Sequence, residues 1–284
     1  MFFKEGRRIR GGIPMDAISP FIMASRLGAA NSFFASADIS KAEELIRQKR
    51  KEGMQGLGMM HIFMAAYVRV VSQRPGINRF IRGQRVYARN DIQICMTIKK
   101  ELRLNAPETV IKITAAPEYT LTDIYDALSK EIAQSKQEGD QNDMDNVARF
   151  LVRLPRIFLK FAVGALRFLD YFALLPTALT NASPFHGSMF ISNLGSLGIP
   201  PVFHHLYSFG NLPMFITMGA KRTEYALNSK GETEKRRLID FTFTCDDRIC
   251  DGHYYASAFK LFKKLVENPE ELFTPPKSVI QDIK

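Results

Sequence analysis

The spacing of apolar and polar residues along the chain predicts both helices and strands. Residues 61–73 are apolar nearly all round and stop before Pro75, as a buried helix does. Residues 238–244 alternate between apolar and polar, as a strand with one buried face does. Further helices are predicted at 41–52, 122–136 and 254–267, and further strands at 110–115, at 188–192, at 214–219, within 85–99 on both sides of Asn90-Asp91, and around a turn at 228–231. Their irregular order, without repeats, predicts an α+β domain with a mixed sheet.

A basic amphipathic helix is predicted over residues 146–171, with a kink or break at Pro155. At 100° per residue, five basic side chains lie within about 60° of one another: Arg149, Arg153, Arg156, Lys160 and Arg167. Three interpretations are open. The apolar face packs against the protein's own core, which the pattern favours, or residues 149–167 contact a membrane surface, or the basic stripe binds phosphate. Since no RNA-binding or helix-turn-helix pattern accompanies it, nucleic acid is not expected as a partner.

The segment 171–220 contains no Asp, Glu, Lys or Arg. Its five prolines and several glycines exclude a continuous membrane helix. We therefore expect a soluble protein in which this segment forms buried strands and loops, at the core or at a subunit interface.

Composition and charge indicate a globular protein with an anionic partner. Apolar residues make up 46% and charged residues 24% of the 284 residues. The formal charge of +10 favours a phosphorylated cofactor, a membrane surface or nucleic acid. The cysteines Cys95, Cys245 and Cys250 have neither a disulfide pattern nor metal-ligand spacing, so we expect no metal site. With no export signal at the N-terminus, they also indicate a reducing, cytoplasmic location.

The chain divides into an arm, a domain and a tail. Residues 1–15 are basic and contain a glycine pair, which predicts a mobile N-terminal arm. Residues 16–274 contain the predicted elements and form one domain, and residues 275–284 are a short tail that opens on two prolines.

Two motifs in this domain resemble the catalytic domain of dihydrolipoamide acyltransferases, the acyl-carrying components of 2-oxo acid dehydrogenase complexes. The first is FISNLG at residues 190–195, and the second is TCDDRICDG at residues 244–252. The same motifs resemble chloramphenicol acetyltransferase, which shares that fold. The resemblance implies a chloramphenicol acetyltransferase-like two-layer sandwich, a homotrimer with sites between its subunits, and coenzyme A or acyl-CoA as a substrate.

The resemblance also implies roles for residues of both motifs. In this family a histidine deprotonates the attacking thiol or hydroxyl, and a serine or threonine across the subunit boundary donates a hydrogen bond to the oxyanion. Ser192 stands at the position of that donor, whereas Asp247 stands at the position of the histidine. An ordinary aspartate is about four pKa units less basic than a thiolate, or about 5 kcal/mol. Proton transfer to an aspartate is therefore feasible only if burial raises the pKa of its carboxylate strongly.

Other residues of the motifs are expected to be structural or to replace the base. The resemblance implies that Asp251 is structural, and Arg26 is the candidate partner for an ion pair with it. Gly252 is expected to allow a tight turn into the following helix. His204 or His205 could substitute for the base, although histidines among apolar neighbours more often have a structural role.

Two functions follow from these expectations. The first is transfer of an acyl group between CoA and a thiol or hydroxyl of a small acceptor, by a stand-alone protein without a lipoyl domain. The second is a catalytically lapsed trimer of the same fold that binds a ligand or organises partners, which the aspartate at position 247 favours. Extra length compared with the antibiotic acetyltransferases is expected at 133–185, as a helical insertion that contains the basic helix.

Overall fold

The structure is a computed structural model that describes residues 5–12, 14–99, 108–137, 152–153 and 155–283. Its helices are α1 (Pro14–Ile22), α2 (Ser40–Lys51), α3 (Met59–Gln73), α4 (Leu121–Gln137), α5 (Arg156–Tyr171), α6 (Thr177–Ala182) and α7 (Gly252–Glu267). Its strands are β1 (Gly6–Arg8), β2 (Ala30–Asp38), β3 (Arg79–Arg82), β4 (Arg85–Arg89), β5 (Ile92–Lys99), β6 (Glu108–Ala115), β7 (Met189–Asn193), β8 (Met214–Leu227) and β9 (Thr233–Asp246).

Six strands form the main sheet in the order β2-β9-β8-β7-β5-β6. Strand β7 runs parallel to both of its neighbours, while the other pairs are antiparallel. The sheet is therefore mixed and the fold is α+β, which confirms the predicted class. The strands β1, β4 and β3 form a second, smaller sheet.

One face of the main sheet is covered by α2, α3, α4 and α7, which makes the two layers of the fold. Helix α3 lies in the middle of this layer, and nearly all its residues are buried. Its Phe63 ring meets Phe241 of β9 and Phe262 of α7 edge to face. The all-round apolar pattern of α3 is explained by contacts with helices on its sides and the sheet below.

The other face of the sheet is crossed by the loop 199–212. The hydroxyls of Thr217 and Thr242 both donate to the carbonyl oxygen of Val202, at 2.7 and 2.6 Å. Leu206 and Leu212 pack there in a small apolar cluster, whereas Val202 and Phe203 are exposed. The expectation that segment 171–220 forms buried strands and loops therefore holds for most of β7, for the first half of β8 and for part of this loop.

Two expectations about single elements were wrong. Residues 6–8 pair with β4 as β1 instead of forming a mobile arm. The helix after Pro155 does not bury its apolar face in the core, because Asp170 is the one buried residue of α5. Residues 138–151, including Arg149, lie outside the described part.

Candidate functional site

The first motif lies at the end of β7 and places Ser192 on the loop-covered face of the sheet. Ser192 pairs with Thr217 of β8 and is half-buried. Its hydroxyl makes no hydrogen bond with a described residue, so it can donate to a bound group. Phe190, two residues earlier, stacks on Phe215 on the same face.

Gly195 allows the chain to turn tightly just after Ser192. A Cβ atom at Gly195 would lie 2.4 Å from the carbonyl oxygen of Gly219 in β8. Only glycine permits this approach, and the chain then forms the short 3₁₀ turn Leu194–Leu197. The glycine of the motif is thus explained by close packing beside the candidate oxyanion donor.

The second motif follows β9 and places two neighbouring aspartates in opposite environments. Asp246 is fully buried and accepts two hydrogen bonds of 2.7 Å from the guanidinium of Arg248. Asp247 is exposed, and its N–H donates to the carbonyl oxygen of Ala29. The burial that would make Asp247 a stronger base is therefore not supplied within one chain.

The predicted pair of Arg26 with Asp251 is wrong. Arg26 is 7% exposed and lies 3.6 Å from the carboxylate of Asp246, and it also donates to the carbonyl oxygens of Tyr207 and Gly210. Asp251 is exposed and caps α7, because its carboxylate accepts from the N–H of Tyr254 at 2.8 Å. The carboxylate of Asp251 thus binds the N-terminal end of α7, and the carboxylate of Asp246 pairs with the arginines.

The prediction that a tight turn requires glycine at position 252 is also wrong within one chain. Gly252 is the first residue of α7, and a Cβ atom there would meet nothing within 4 Å. Neither a positive φ nor a close approach requires glycine at this position within one chain.

His204 and His205 lie near the strand of Ser192 and not beside Asp247. The His204 ring stacks on Phe215 with a centroid distance of 3.8 Å, on the same sheet face as Ser192. Its Nδ1–H donates to the carbonyl oxygen of His205, which leaves Nε2 as the acceptor. Partial burial lowers the pKa of His204, so the ring is neutral at pH 7. His205 is exposed.

Within one chain, Ser192 and Asp247 are too far apart to meet the same acyl group. In the sheet register, Ser192 of β7 pairs with Thr217 of β8, and Thr217 pairs with Thr242 of β9, five residues before Asp247. The two residues are therefore separated by about 16 Å along the strand and about 10 Å across two strand spacings, which gives a distance of about 19 Å. A site that uses both residues needs two chains.

The three cysteines are buried and free, and they are poor nucleophiles. Burial raises the pKa of Cys95 to about 11. Burial also raises the pKa of Cys245 and Cys250, with the neighbouring acidic groups adding to the effect on Cys245. In the described residues, no group of three or more His, Cys, Asp and Glu side chains is arranged to hold a metal ion.

Sequence reasoning missed a buried polar network beside this region. His186 contacts Ser183 through Nδ1 at 2.8 Å and Asp170 through Nε2 at 3.2 Å. Asp170 also pairs with Arg82, which pairs with Glu5. The signals that could have found it are two isolated acids: Glu5 within the basic N-terminal residues, and Asp170 within a helix that is otherwise apolar and basic.

The charges of this network follow from burial and from its ion pairs. Burial lowers the pKa of His186, although Asp170 opposes the change. Burial would raise the pKa of Asp170, but the hydrogen bond from His186 and the charges of Arg82 and Arg26 bring it below its ordinary value. Ser183, His186 and Asp170 have the residue types of a hydrolase triad, yet Ser183 and His186 are 2% and 1% exposed. No substrate can reach them, so their role is structural.

A cavity of about 280 Å³ adjoins the Asp246 cluster and is rich in arginine. Its lining includes Arg26, Arg82, Arg167 and Arg248, with Asp170 as its one acidic side chain. Arg26 and Arg82 are buried, and the Nε atom of each has no hydrogen-bond partner. Arg167 is exposed and forms no ion pair with a described residue. The cavity thus presents incompletely paired positive charge, which suits an anionic group.

Comparison with solved structures identifies the architecture. A probable dihydrolipoamide acetyltransferase from Listeria monocytogenes has a TM-score of 0.56 at 14% identity, with 91% of this chain and 94% of that chain covered. The dihydrolipoamide acetyltransferase of Azotobacter vinelandii gives 0.57 at 12% identity, with 92% and 93% covered. For a chloramphenicol acetyltransferase the score is 0.51 at 14% identity, with 92% and 97% covered. The chain has the chloramphenicol acetyltransferase-like fold. The expected two-layer architecture is thereby confirmed.

A family model agrees with this fold over the segment that contains both motifs. Residues 177–274 match the catalytic domain of the 2-oxoacid dehydrogenases acyltransferase family. No curated protein sequence matches the chain. The fold and this segment are therefore shared with acyltransferases, and the matched residues include Ser192, Asp247 and Asp251.

Proposed function

We propose that the protein transfers an acyl group between CoA and a thiol or hydroxyl of a small acceptor, as a homotrimer in the cytoplasm. The observation that carries this proposal is the match of residues 177–274 to an acyltransferase catalytic domain, within the fold of that family. Relatives in this family use CoA thioesters. The site would lie between subunits, with Ser192 of one chain facing Asp247 of its neighbour.

The chemistry is an exchange at a thioester carbonyl. The acceptor attacks the carbonyl carbon of the acyl-CoA, its proton goes to a base, and the tetrahedral oxyanion forms. The Ser192 hydroxyl donates a hydrogen bond to that oxyanion. When the carbon–sulfur bond breaks, the base returns the proton to the CoA sulfur. The products are an acylated acceptor and free CoA.

Two residues compete for the role of base. Asp247 occupies the position that the family resemblance assigns to it, but it is exposed in one chain, so burial there depends on the neighbouring subunit. His204 is neutral, offers Nε2 as an acceptor and shares a sheet face with Ser192. The histidine is the better base by ordinary acidity, and the aspartate has the family position.

The arginine-lined cavity supplies charge that suits the phosphates of CoA. Arg167 forms no ion pair with a described residue, and the Nε of Arg82 is buried without a hydrogen-bond partner. We infer that this cavity takes an anionic part of the ligand. An Arg167→Gln variant should then bind CoA more weakly and should bind a CoA fragment without phosphates equally well.

The second candidate is a lapsed trimer that binds ligand without catalysis. The exposed carboxylate at position 247 is the observation that favours it. Such a protein would keep the fold, the subunit contacts and the arginine-lined cavity, and it would lack a base of adequate strength.

Release of CoA tests the proposal. The purified chain is incubated with acetyl-CoA and a panel of thiol and hydroxyl acceptors, and the free CoA thiol is measured. Ser192→Ala should lower kcat about 100-fold to 1000-fold with little change in stability. Ser196→Ala is the matched control, because its exposed hydroxyl contacts only the backbone of Asn193.

The base is identified by two further variants. If Asp247 takes the proton, Asp247→Asn abolishes release and His204→Gln does not, and the reverse holds if His204 is the base. No release above background by the natural chain, unchanged in Asp247→His, would contradict catalysis on this panel. Recovery of release in Asp247→His alone would support the lapsed trimer.

A further inference from the structure

Among the residues that the structure describes, helix α5 contacts the protein body through one of its sides. The side chains of Leu159, Val163, Leu166 and Leu169 are half-buried on this side, and Asp170 is buried. Asp170 contacts Arg82 and His186, and the Tyr171 hydroxyl donates to Gln84. These contacts fix the C-terminal end of the helix, and they leave most of its surface uncovered.

A second side of α5 is apolar and exposed. Five large side chains lie within an arc of about 100° on the helical wheel. These residues form the aromatic stripe, and their exposed fractions are 62% for Ile157, 60% for Phe158, 71% for Phe161, 60% for Phe168 and 51% for Phe172. Single exposed apolar residues are ordinary, but five on one side of a helix mark a contact surface.

A third side, next to the aromatic stripe, is basic. Arg156, Lys160 and Arg167 fall within about 40° of one another, and all three are exposed. They form no ion pair with a described residue. The one acidic residue of α5, Asp170, points towards the protein body. The uncovered surface therefore combines aromatic rings and positive charge without an acid.

We propose that α5 lies flat on a membrane that contains anionic lipid. The aromatic stripe enters the boundary between head groups and acyl chains, and the side chains of Arg156 and Lys160 contact the lipid phosphates. A second copy of the same face offers no acidic side chain to pair with these basic groups, so charge favours anionic lipid over self-association. No helix of the described residues is long and apolar enough to cross a bilayer, and a flat helix needs no such length.

Tryptophan fluorescence offers a direct test because the chain contains no tryptophan. In Phe161→Trp the single indole reports on the aromatic stripe. Its emission should shift to shorter wavelength when vesicles of phosphatidylcholine and phosphatidylglycerol are added, and it should not shift with phosphatidylcholine alone. Tyr225→Trp is the matched control, at a residue that is 67% exposed on β8, and its emission should not change.

Vesicle sedimentation separates the two parts of the surface. Phe161→Ser combined with Phe168→Ser, and Arg156→Glu combined with Lys160→Glu, should each lower partitioning to the anionic vesicles about tenfold or more. Lys230→Glu combined with Lys235→Glu changes the net charge equally on exposed residues elsewhere and should bind like the natural chain. Higher salt should weaken binding.

Three outcomes would overturn the proposal. The first is no binding of the natural chain to the anionic vesicles, and the second is binding that neither pair of stripe substitutions changes. The third is a fall in oligomeric mass without lipid in the serine variant, which would make this side of α5 a contact between copies of the chain. None of these outcomes depends on acyl transfer.

Discussion

Asp246 and Asp247 show how far neighbouring residues can differ in role. The Asp246 side chain has no exposure and meets two arginines, while Asp247 is exposed. Asp246 is the last residue of β9, where both faces of the strand are buried, and Asp247 begins the turn that follows. Asp246, with its two arginine partners, holds the strand end in place, and the carboxylate of Asp247 is left without such partners.

Removing one partner of the buried cluster should be costly. Asp246→Ala leaves the buried guanidinium groups of Arg26 and Arg248 without their carboxylate, so the free energy of unfolding should fall by about 3–5 kcal/mol. Urea unfolding measures this change. Glu234→Ala removes an acid from an exposed pair on β9 and should leave the midpoint unchanged. Equal effects of the two substitutions would contradict the assignment of Asp246 as the structural acid.

The buried histidines predict a loss of stability in mild acid. The pKa values of His186 and His61 are lowered from 6.5 by burial, so below pH 6.5 the unfolded chain takes up protons that the folded chain does not. The contribution of these histidines to stability should be constant above neutral pH and fall as the pH drops below 6.5. His204 adds to this in the same direction.

Urea unfolding at pH 7.5 and pH 5.5 tests this pH dependence. His186→Gln should be less stable at both values, because the contacts with Ser183 and Asp170 change, and its stability should vary less with pH. A natural chain that is equally stable at the two values would contradict a neutral buried His186.

At the scale of elements, α7 begins on a local signal. The Asp251 carboxylate satisfies the N–H of Tyr254 in the first turn, and this cap also sets where the helix starts after the second motif. Asp251→Ala should cost about 1 kcal/mol, and Asp251→Ser should recover most of it. Gly252→Ala should fold normally, because its methyl group meets no atom. Thermal unfolding of the three variants is the measurement, and a large loss in Gly252→Ala would show that another chain packs against this position.

Elements whose own residues decide their structure could be predicted from the sequence. Helix α3 ends at Gln73 before Pro75, and strand β9 contains the alternating residues 238–244. Strand β2 was not predicted, because it mixes small and polar residues at the edge of the sheet. The apolar pattern of α5 was found, but a pattern does not say whether the protein's own core covers it.

The candidate site shows the same division between local and distant causes. Short motifs contain Ser192, Gly195 and Asp247, so these residues could be found from the sequence. The apolar pattern at 188–192 also predicted the strand that ends at Asn193. The partner of Arg26 could not be found in this way, because two aspartates five residues apart compete for it and only the fold brings one of them near. The network of Glu5, Asp170 and His186 joins residues from distant parts of the chain, which periodicity does not report.

At the scale of the whole molecule, the sheet presents one face to its helices and the other to a loop. The Ser192 hydroxyl lies on the loop face, and Asp247 lies beyond the far end of β9, about 19 Å away within the chain. Exposed Val202 and Phe203 on the loop face are available to a second chain. We propose that a neighbouring subunit brings Asp247 to Ser192.

Chemical cross-linking between Ser192 and Asp247 of neighbouring subunits tests this proposal without relying on activity. A chain with both Ser192→Cys and Asp247→Cys is treated with a bismaleimide shorter than the separation within one chain, then run on a denaturing gel. The native cysteines are at most 9% exposed, and the natural chain and the two single variants control for them. If the site is shared between subunits, covalent dimers and trimers should form in the double variant only. A double variant that stays monomeric, in a protein shown by sedimentation to be a trimer, would contradict a site shared by these two residues.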